Sequence, residues 1–343
     1  MRVLLIGGAG FIGPHVARSL LEKEHQVGIF HRGQSKASLP PGIHRILGDR
    51  HRLADSHEDF RRFAPDVVVD FILASERQAL TTMETFRDIA GRLVALSSGD
   101  VYRAIAIMYG FDTGLQPVPL TEESDLRMHK PYNPERLAAL REVFPWLADD
   151  YDKIPVERAV MADPRLPGTI LRLPMVYGPG DPLHRLHPIL KRVDDGRPAI
   201  LIQEDTATWR GPRGYVENVA DAIALAAVSP QAAGRIYNIA EPRAYSELEW
   251  AQMVGAAAGW VGSVVSVPKD RTPPHLRTPY NTAQHWSMSS ERIRRELSYS
   301  EPVPIATAIE RTIGWERANP PATVDPAQFD YAAEDAALSD FAA

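Results

Sequence analysis

The sequence predicts an α/β fold built on a doubly wound parallel sheet, with a smaller, discontinuous second domain. Two observations carry that prediction. Short apolar, β-branched runs alternate with helix-like runs over roughly the first 100 residues, the rhythm of a parallel sheet covered on both faces by right-handed crossovers. A glycine-rich turn, GGAGFIG at residues 7–13, follows the first of those runs directly.

Taken in order, Arg2–Ile6 (RVLLI) reads as a buried strand, and Pro14–Glu24 carries apolar residues at helical spacing. Val27–Phe30 and Ile43–Leu47 read as the second and third strands. Asp66–Ile72 (DVVVDFI) is the least ambiguous strand, Ser75–Ile89 a helix, and Arg92–Ser98 (RLVALSS) the fifth strand. After Ser98 the rhythm breaks, and residues 103–150, rich in proline, read as loop. A helix over Val156–Ala162 and a strand at Thr169–Leu173 resume the pattern. Residues 179–213 read as irregular and basic, apart from a helix at Pro188–Val193. A strand at Ile236–Ile239 and helices at Ser246–Ala258 and Ser290–Glu296 follow.

This pattern divides the chain into a dinucleotide-binding unit over residues 1–178, with 214–240 returning to it, and a substrate unit from 179–213 and 241–316. Residues 317–343 form an acidic C-terminal tail with Phe329, Tyr331, Leu338 and Phe341 interspersed. That tail either docks through its aromatics or stays loosely ordered.

Composition narrows the function. A net charge of −6 argues against nucleic acid as a partner. No apolar run approaches the ~18 residues of a membrane helix. The absence of cysteine excludes disulfides and thiolate chemistry and fits a reducing, cytoplasmic setting. His184 and His187 stand three apart without a third ligand in sight, so no metal is expected.

The glycines at 7, 10 and 13 suit a dinucleotide. Gly7 permits the tight turn, Gly10 lets a pyrophosphate approach the backbone, and Gly13 lets helix and strand pack closely. Phe11 and Ile12 complete the loop, and the helix that follows offers free N–H groups to phosphate. A Rossmann-type sheet is therefore expected. At the end of the second strand an acid would select NAD, but His31 and Arg32 stand there, with Lys36 close by. Cationic groups favour a 2′-phosphate, so the expected cofactor is NADP or NAD, with NADP preferred. Asp49 is a candidate contact for the adenine edge, with Arg50 beside it. Phe71, in the fourth strand, is a further candidate cofactor contact.

With SSGDVY at 97–102, LRLPMVYGPGD at 171–181, RGYVENVADAI at 213–223, RIYNIA at 235–240, ERIRREL at 291–297 and TIGW at 312–315, the chain resembles the extended short-chain dehydrogenase/reductase family. More narrowly it resembles the NAD-dependent epimerase/dehydratase branch. The resemblance runs up to Trp315 and implies a catalytic serine or threonine, tyrosine and lysine. Ser98 matches the first and Lys153, in KIPVE, the third. The tyrosine place, four before the lysine, holds Asp149, while Tyr151 stands two before it. Two residues on a regular helix lie ~200° apart, but Pro155 argues that the helix begins near here. Tyr151 would then lie in the incoming loop with its ring free to reach the site; Tyr102, Tyr109 and Tyr132 are other candidate donors. Asp100 matches the second of two acids that relatives use for elimination, and the first place is Gly99. It either serves as a base or holds a turn.

On the substrate side the resemblance places Pro174 beside the nicotinamide amide. Met175 stands where sugar-nucleotide members usually have asparagine. Arg185, Arg210 and Arg213, with Tyr102 and Met175, are the candidate substrate contacts, and the basic residues point to an anionic or sugar-like ligand. The expected function is an NAD(P)-dependent epimerase, dehydratase or reductase acting on a sugar-like, nucleotide-linked or free, carbinol. The alternative is a non-catalytic NAD(P)-binding regulator or scaffold that has lost the family tyrosine. Expected partners are a small molecule and, as a homodimer, a second copy of the chain.

Overall fold

The computed structural model of the protein describes residues 1–34 and 38–342. The first half of the chain runs β1 (Arg2–Ile6), α1 (Gly13–Glu22), β2 (Gln26–His31), β3 (His44–Leu47), α2 (His57–Phe63), β4 (Val67–Asp70), α3 (Glu76–Phe86) and β5 (Arg92–Ser98). Apart from α2, these are the elements that the alternating runs predict. There follow α4 (Arg103–Met108), α5 (Pro134–Val143), α6 (Lys153–Met161), β6 (Gly168–Leu173), β7 (Met175–Tyr177) and α7 (His187–Asp194). Next come β8 (Ala199–Gln203), α8 (Glu204–Thr208), β9 (Arg213–Tyr215), α9 (Val216–Val228), β10 (Arg235–Asn238) and α10 (Glu247–Ala257). The described chain closes with β11 (Ser263–Val267), α11 (Glu291–Leu297), α12 (Ile305–Ala318) and α13 (Tyr331–Ala342).

Seven strands form one sheet in the order β10-β6-β5-β4-β1-β2-β3. Every pairing within it is parallel. The sheet is Rossmann-like, and its strands are apolar on both faces because both are covered. Val3, Leu5, Val27 and Ile29 pack with α1 and α9 on one side. Leu4, Ile6, Val68 and Phe30 pack with Phe60, Phe86 and Val160 on the other. After β3 the chain crosses to the opposite edge of β1, so the loops at the carboxyl ends of β1 and β4 part and leave a crevice between them, the place where such sheets bind ligands.

Two regions differ from the sequence expectation, and in a third the structure takes one of the two expected alternatives. Residues 103–150 are not all loop. Arg103–Met108 (RAIAIM) is helical with five consecutive buried residues, so it shows no one-sided apolar stripe. In α5, Asn133 caps the N-terminus by accepting from the backbone N–H of Arg136, with Pro134 in the first turn. Within 179–213, β8 pairs in parallel with β11, a partner some sixty residues away that local pattern cannot announce. The tail, finally, is ordered through α13. Glu334 is fully buried and takes hydrogen bonds from Arg192 and His275. Tyr331 donates to Asp195, and Phe329 lies beneath the Arg192 guanidinium. The side chain of Phe341 lies outside the described residues.

Among the described residues no helix is long and apolar enough to cross a membrane.

Candidate active site

The glycine loop has the shape its spacing implies. Gly7 adopts φ +74°, in the region that favours glycine. A Cβ on Gly13 would lie 2.1 Å from the Gly8 carbonyl oxygen, so the start of α1 can approach the loop only without one. A Cβ on Gly10 would meet nothing within 4 Å, because it would project into open space above the loop. No side chain caps the N-terminus of α1, which leaves its N–H groups available to an anion. This cradle fits a dinucleotide pyrophosphate.

Two cavities meet at Gly7, Gly10, Ile72 and Trp146. The first, about 450 Å³, is lined by Phe30, His31, Arg32, Asp49, Arg50 and His51 among others, the adenosine end. His31 accepts from the Gly33 N–H through Nδ1, and burial, with Arg45 adding to it, lowers its pKa. The imidazole is thus neutral where an acid would select NAD. Asp49 accepts from the His51 N–H at the end of β3. Arg50 lines the cavity but turns its guanidinium inward, onto Asp70 and Thr82. Lys36 lies outside the described residues.

The second cavity, about 490 Å³, is lined by Phe11, Ile12, Gly13, Phe71 and Pro174 from the expected cofactor set. Ser98, Asp100, Tyr151, Lys153 and Arg185 also face it. Five of the expected groups for catalysis and substrate therefore converge on the space that adjoins the glycine loop.

Helix α6 begins at Lys153, with Asp152 as its N-cap. Tyr151 thus belongs to the incoming loop, as Pro155 suggested, and helical geometry does not turn it away from the lysine. Its ring is buried, with the Lys153 ammonium 5.8 Å from the ring centroid. The Tyr151 hydroxyl donates to Asp100 Oδ2 at 2.8 Å, and the Tyr132 hydroxyl to the same oxygen at 3.2 Å. Oδ1 of Asp100 is buried and has no hydrogen-bond partner. The Ser98 hydroxyl accepts from the Asp100 N–H. Asp149, in the family's tyrosine place, is an exposed partner of Arg141 and does not line this cavity.

Burial dominates the electrostatics. It raises the pKa of Asp100, against the pull of Arg127, Tyr151 and Lys153. It holds Tyr151 well above the usual phenol value, and the Asp100 charge adds to the effect. The Lys153 ammonium, donating to the carbonyls of Leu73 and Leu96, is pushed down to about 8 by burial. As the chain stands, Tyr151 is a protonated donor, and burial disfavours the charged form of Asp100.

Other expected contacts are not brought to the site. Tyr102 is fully buried, donating to Asn238 and accepting from Arg172, whose fork grips Glu157. That network, not a substrate, satisfies its hydroxyl. Met175, Arg210 and Arg213 are not among the residues lining the cavity. Arg210 bonds to Glu249 and the Ala244 carbonyl. Arg213 bonds to Glu247 and stacks on Trp250.

The family model for the NAD-dependent epimerase/dehydratase family matches residues 3–240. The chain belongs to that family. It is 26% identical over 276 residues to 2′-dehydrokanamycin reductase of Streptomyces kanamyceticus, covering 79% of this chain and 70% of that protein. Among solved structures it resembles UDP-glucose 4-epimerase of Thermotoga maritima with UDP-glucose, at a TM-score of 0.64 and 18% identity, covering 93% of this chain and 99% of the other. UDP-glucose 4-epimerase of Thermus thermophilus in complex with NAD gives a TM-score of 0.62 at 22% identity, covering 93% and 100%. The family and the reductase relative support an enzyme of NAD-dependent oxidoreductase type. The solved structures show the fold and leave the substrate open.

Nothing in the local sequence marks two further residues as parts of this candidate site. Arg127 is buried, donating to the Asp100 carbonyl and to the Asp152 carboxylate, so it ties the loop after β5 to the start of α6. Trp146 lines both cavities and lies 5.5 Å from the Lys153 ammonium. Arginine has no local motif here, and Trp146 sits in a segment placed over the crevice only by the packing of Leu147 and Phe144 around Tyr151.

Proposed function

We propose that this protein is an NAD(P)-dependent epimerase, dehydratase or reductase that acts on a sugar-like carbinol, with NADP(H) preferred. The observation that carries the reading is the convergence of Ser98, Asp100, Tyr151 and Lys153 on one cavity beside the glycine loop. When bound, the nicotinamide takes a hydride from the carbinol carbon or returns one to the carbonyl carbon. The protein must then move one proton at the oxygen.

In this reading Ser98 holds the substrate oxygen by hydrogen bonding, and Tyr151 supplies its proton in the reducing direction. Asp100, already bonded to Tyr151, balances that loss by passing on its own proton, or takes one up through Tyr151 when the carbinol is oxidised. Lys153 keeps two N–H groups on the Leu73 and Leu96 carbonyls. An ammonium has three, so the third is free to hold the cofactor ribose. Arg32 and the neutral His31 leave the adenosine end without an acid where NAD would need one, which supports a 2′-phosphate.

A titration of the purified protein with NADPH and NADH, followed by quenching of tryptophan fluorescence, tests the cofactor. NADPH should bind at least tenfold more tightly, and Arg32→Ala should remove that margin. Consumption of NADPH with sugar ketones then tests the chemistry. Tight cofactor binding with no hydride transfer to any ketone or from any carbinol would instead establish a non-catalytic sensor, the reading favoured by Asp149 in the tyrosine place.

A further inference from the structure

We infer that the substrate of this site is a phosphate-free ring ketone or alcohol, a free or glycosidically linked sugar or cyclitol, and not a nucleotide-linked sugar. The inference rests on the oxidoreductase reading above and names the substrate class of that same cavity.

A nucleotide-linked sugar brings a diphosphate with two negative charges. Holding it in a partly dry cleft requires cations or backbone N–H groups that have no other partner. Two cationic side chains line the cavity among its described residues, Lys153 and Arg185. Lys153 is buried and spends two donors on carbonyls. Arg185 donates to the Val176 carbonyl and to Asp181, both at 2.7 Å. The one donor left on Lys153 is the one assigned above to the cofactor ribose, and Arg185 is already paired with a carboxylate.

The arginines farther along the chain are also paired. Arg213 is nine-tenths buried, bonds Glu247 at 2.5 Å and lies 4.7 Å over the Trp250 ring. Arg210 bonds Glu249, which also takes Arg243. Glu249 is, in addition, half of the capping box that starts α10, accepting from the Ser246 N–H while its own N–H bonds the Ser246 hydroxyl. Recruiting Arg213 to a diphosphate would leave Glu247 without its arginine at the N-terminus of that helix, and recruiting Arg210 would take one of the two arginines held by Glu249. Lys130 has no carboxylate partner among the described residues, but it lies in a separate hollow of about 320 Å³ behind Tyr132 and Tyr151.

What the cavity does offer is suited to an uncharged ring. Tyr132, Phe144, Trp146 and Tyr151 supply flat apolar faces, and Ser98 and Asp100 supply a few converging polar groups. Trp286 packs on the Gly99–Asp100 turn, its Nε1–H donating to the Gly99 carbonyl at 2.9 Å. Met288 packs against the same glycine, where even a Cβ would lie 2.5 Å from its sulfur.

The test uses the full chain saturated with NADPH. UDP and dTDP are titrated by calorimetry, and NADPH oxidation is followed with myo-inosose, methyl 3-ketoglucoside and UDP-4-ketoglucose. The expected result is no UDP or dTDP heat at millimolar concentration and at least a hundredfold higher kcat/KM for a phosphate-free ketone. Micromolar binding of UDP or dTDP, or preferential turnover of UDP-4-ketoglucose, overturns the inference and leaves the oxidoreductase reading intact. Failure to bind either NADPH or NADH, or binding without hydride transfer to any of the three, overturns both. To separate electrostatics from size, glucose 1-phosphate serves as a competitor; inhibition stronger than that by methyl glucoside also counts against the inference.

Discussion

The Tyr151 hydroxyl donates to Oδ2 of Asp100 across 2.8 Å, although the two residues stand 51 apart in the chain. The pair joins the loop after β5 to the loop before α6. If the two move one proton as a unit, their substitutions should not add. Tyr151→Phe and Asp100→Asn should each lower kcat by roughly 10²–10⁴, and the double variant should be little worse than either single one. Additive losses in a double-mutant cycle would separate their roles.

Lys153 sets a pH limit on cofactor binding. Its pKa of about 8 in the folded chain, depressed chiefly by burial, means that the ammonium is present below that pH and the neutral amine above it. A neutral amine has two N–H groups, and two carbonyls already take them. The cofactor Kd should therefore be flat below about pH 8 and rise, by at most tenfold per pH unit, as the ammonium is lost. Lys153→Met should bind more weakly and show no such inflection.

Gly10 and Gly13 should fail differently. A side chain at Gly10 enters open space, so Gly10→Val should leave the melting temperature within a few degrees and raise the cofactor Kd at least tenfold. Gly13→Ala puts a methyl 2.1 Å from the Gly8 carbonyl oxygen and should lower the melting temperature. Overpacking of this kind costs about 1–3 kcal/mol or more.

The buried Arg172–Glu157 pair, shared with Ser97 and Tyr102, is structural. Glu157→Gln leaves the guanidinium without its charge partner in a dry environment, a loss of about 3–5 kcal/mol that denaturant melts would register. Tyr102→Phe should destabilise by about 1–3 kcal/mol and leave KM unchanged, which checks that Tyr102 does not touch substrate.

Removing the α13 contact is expected to act locally. Glu334→Ala strands Arg192 and His275 against a buried face. Hydrogen exchange should rise in α7 and α13 by at least an order of magnitude, with cofactor affinity unchanged.

How much of this was legible before the fold was known follows from the range of each force. The run RVLLI, the glycines at 7, 10 and 13, and the alternation up to Ser98 determined the sheet and the cofactor cradle, because strand, turn and helix signals act between neighbours. Proline at 155 likewise determined that Tyr151 stands outside the helix. What the tyrosine meets there was decided only by tertiary structure. Asp100, Tyr132 and Arg127 come from separate loops, and local pattern carries no record of contacts across such distances. The same holds for the arginines. The sequence determined that residues 210 and 213 are arginines, but their partners Glu249 and Glu247 lie on α10, more than thirty residues on. Whether a charge is free to meet a ligand depends on what it is already paired with, and that was settled by folding.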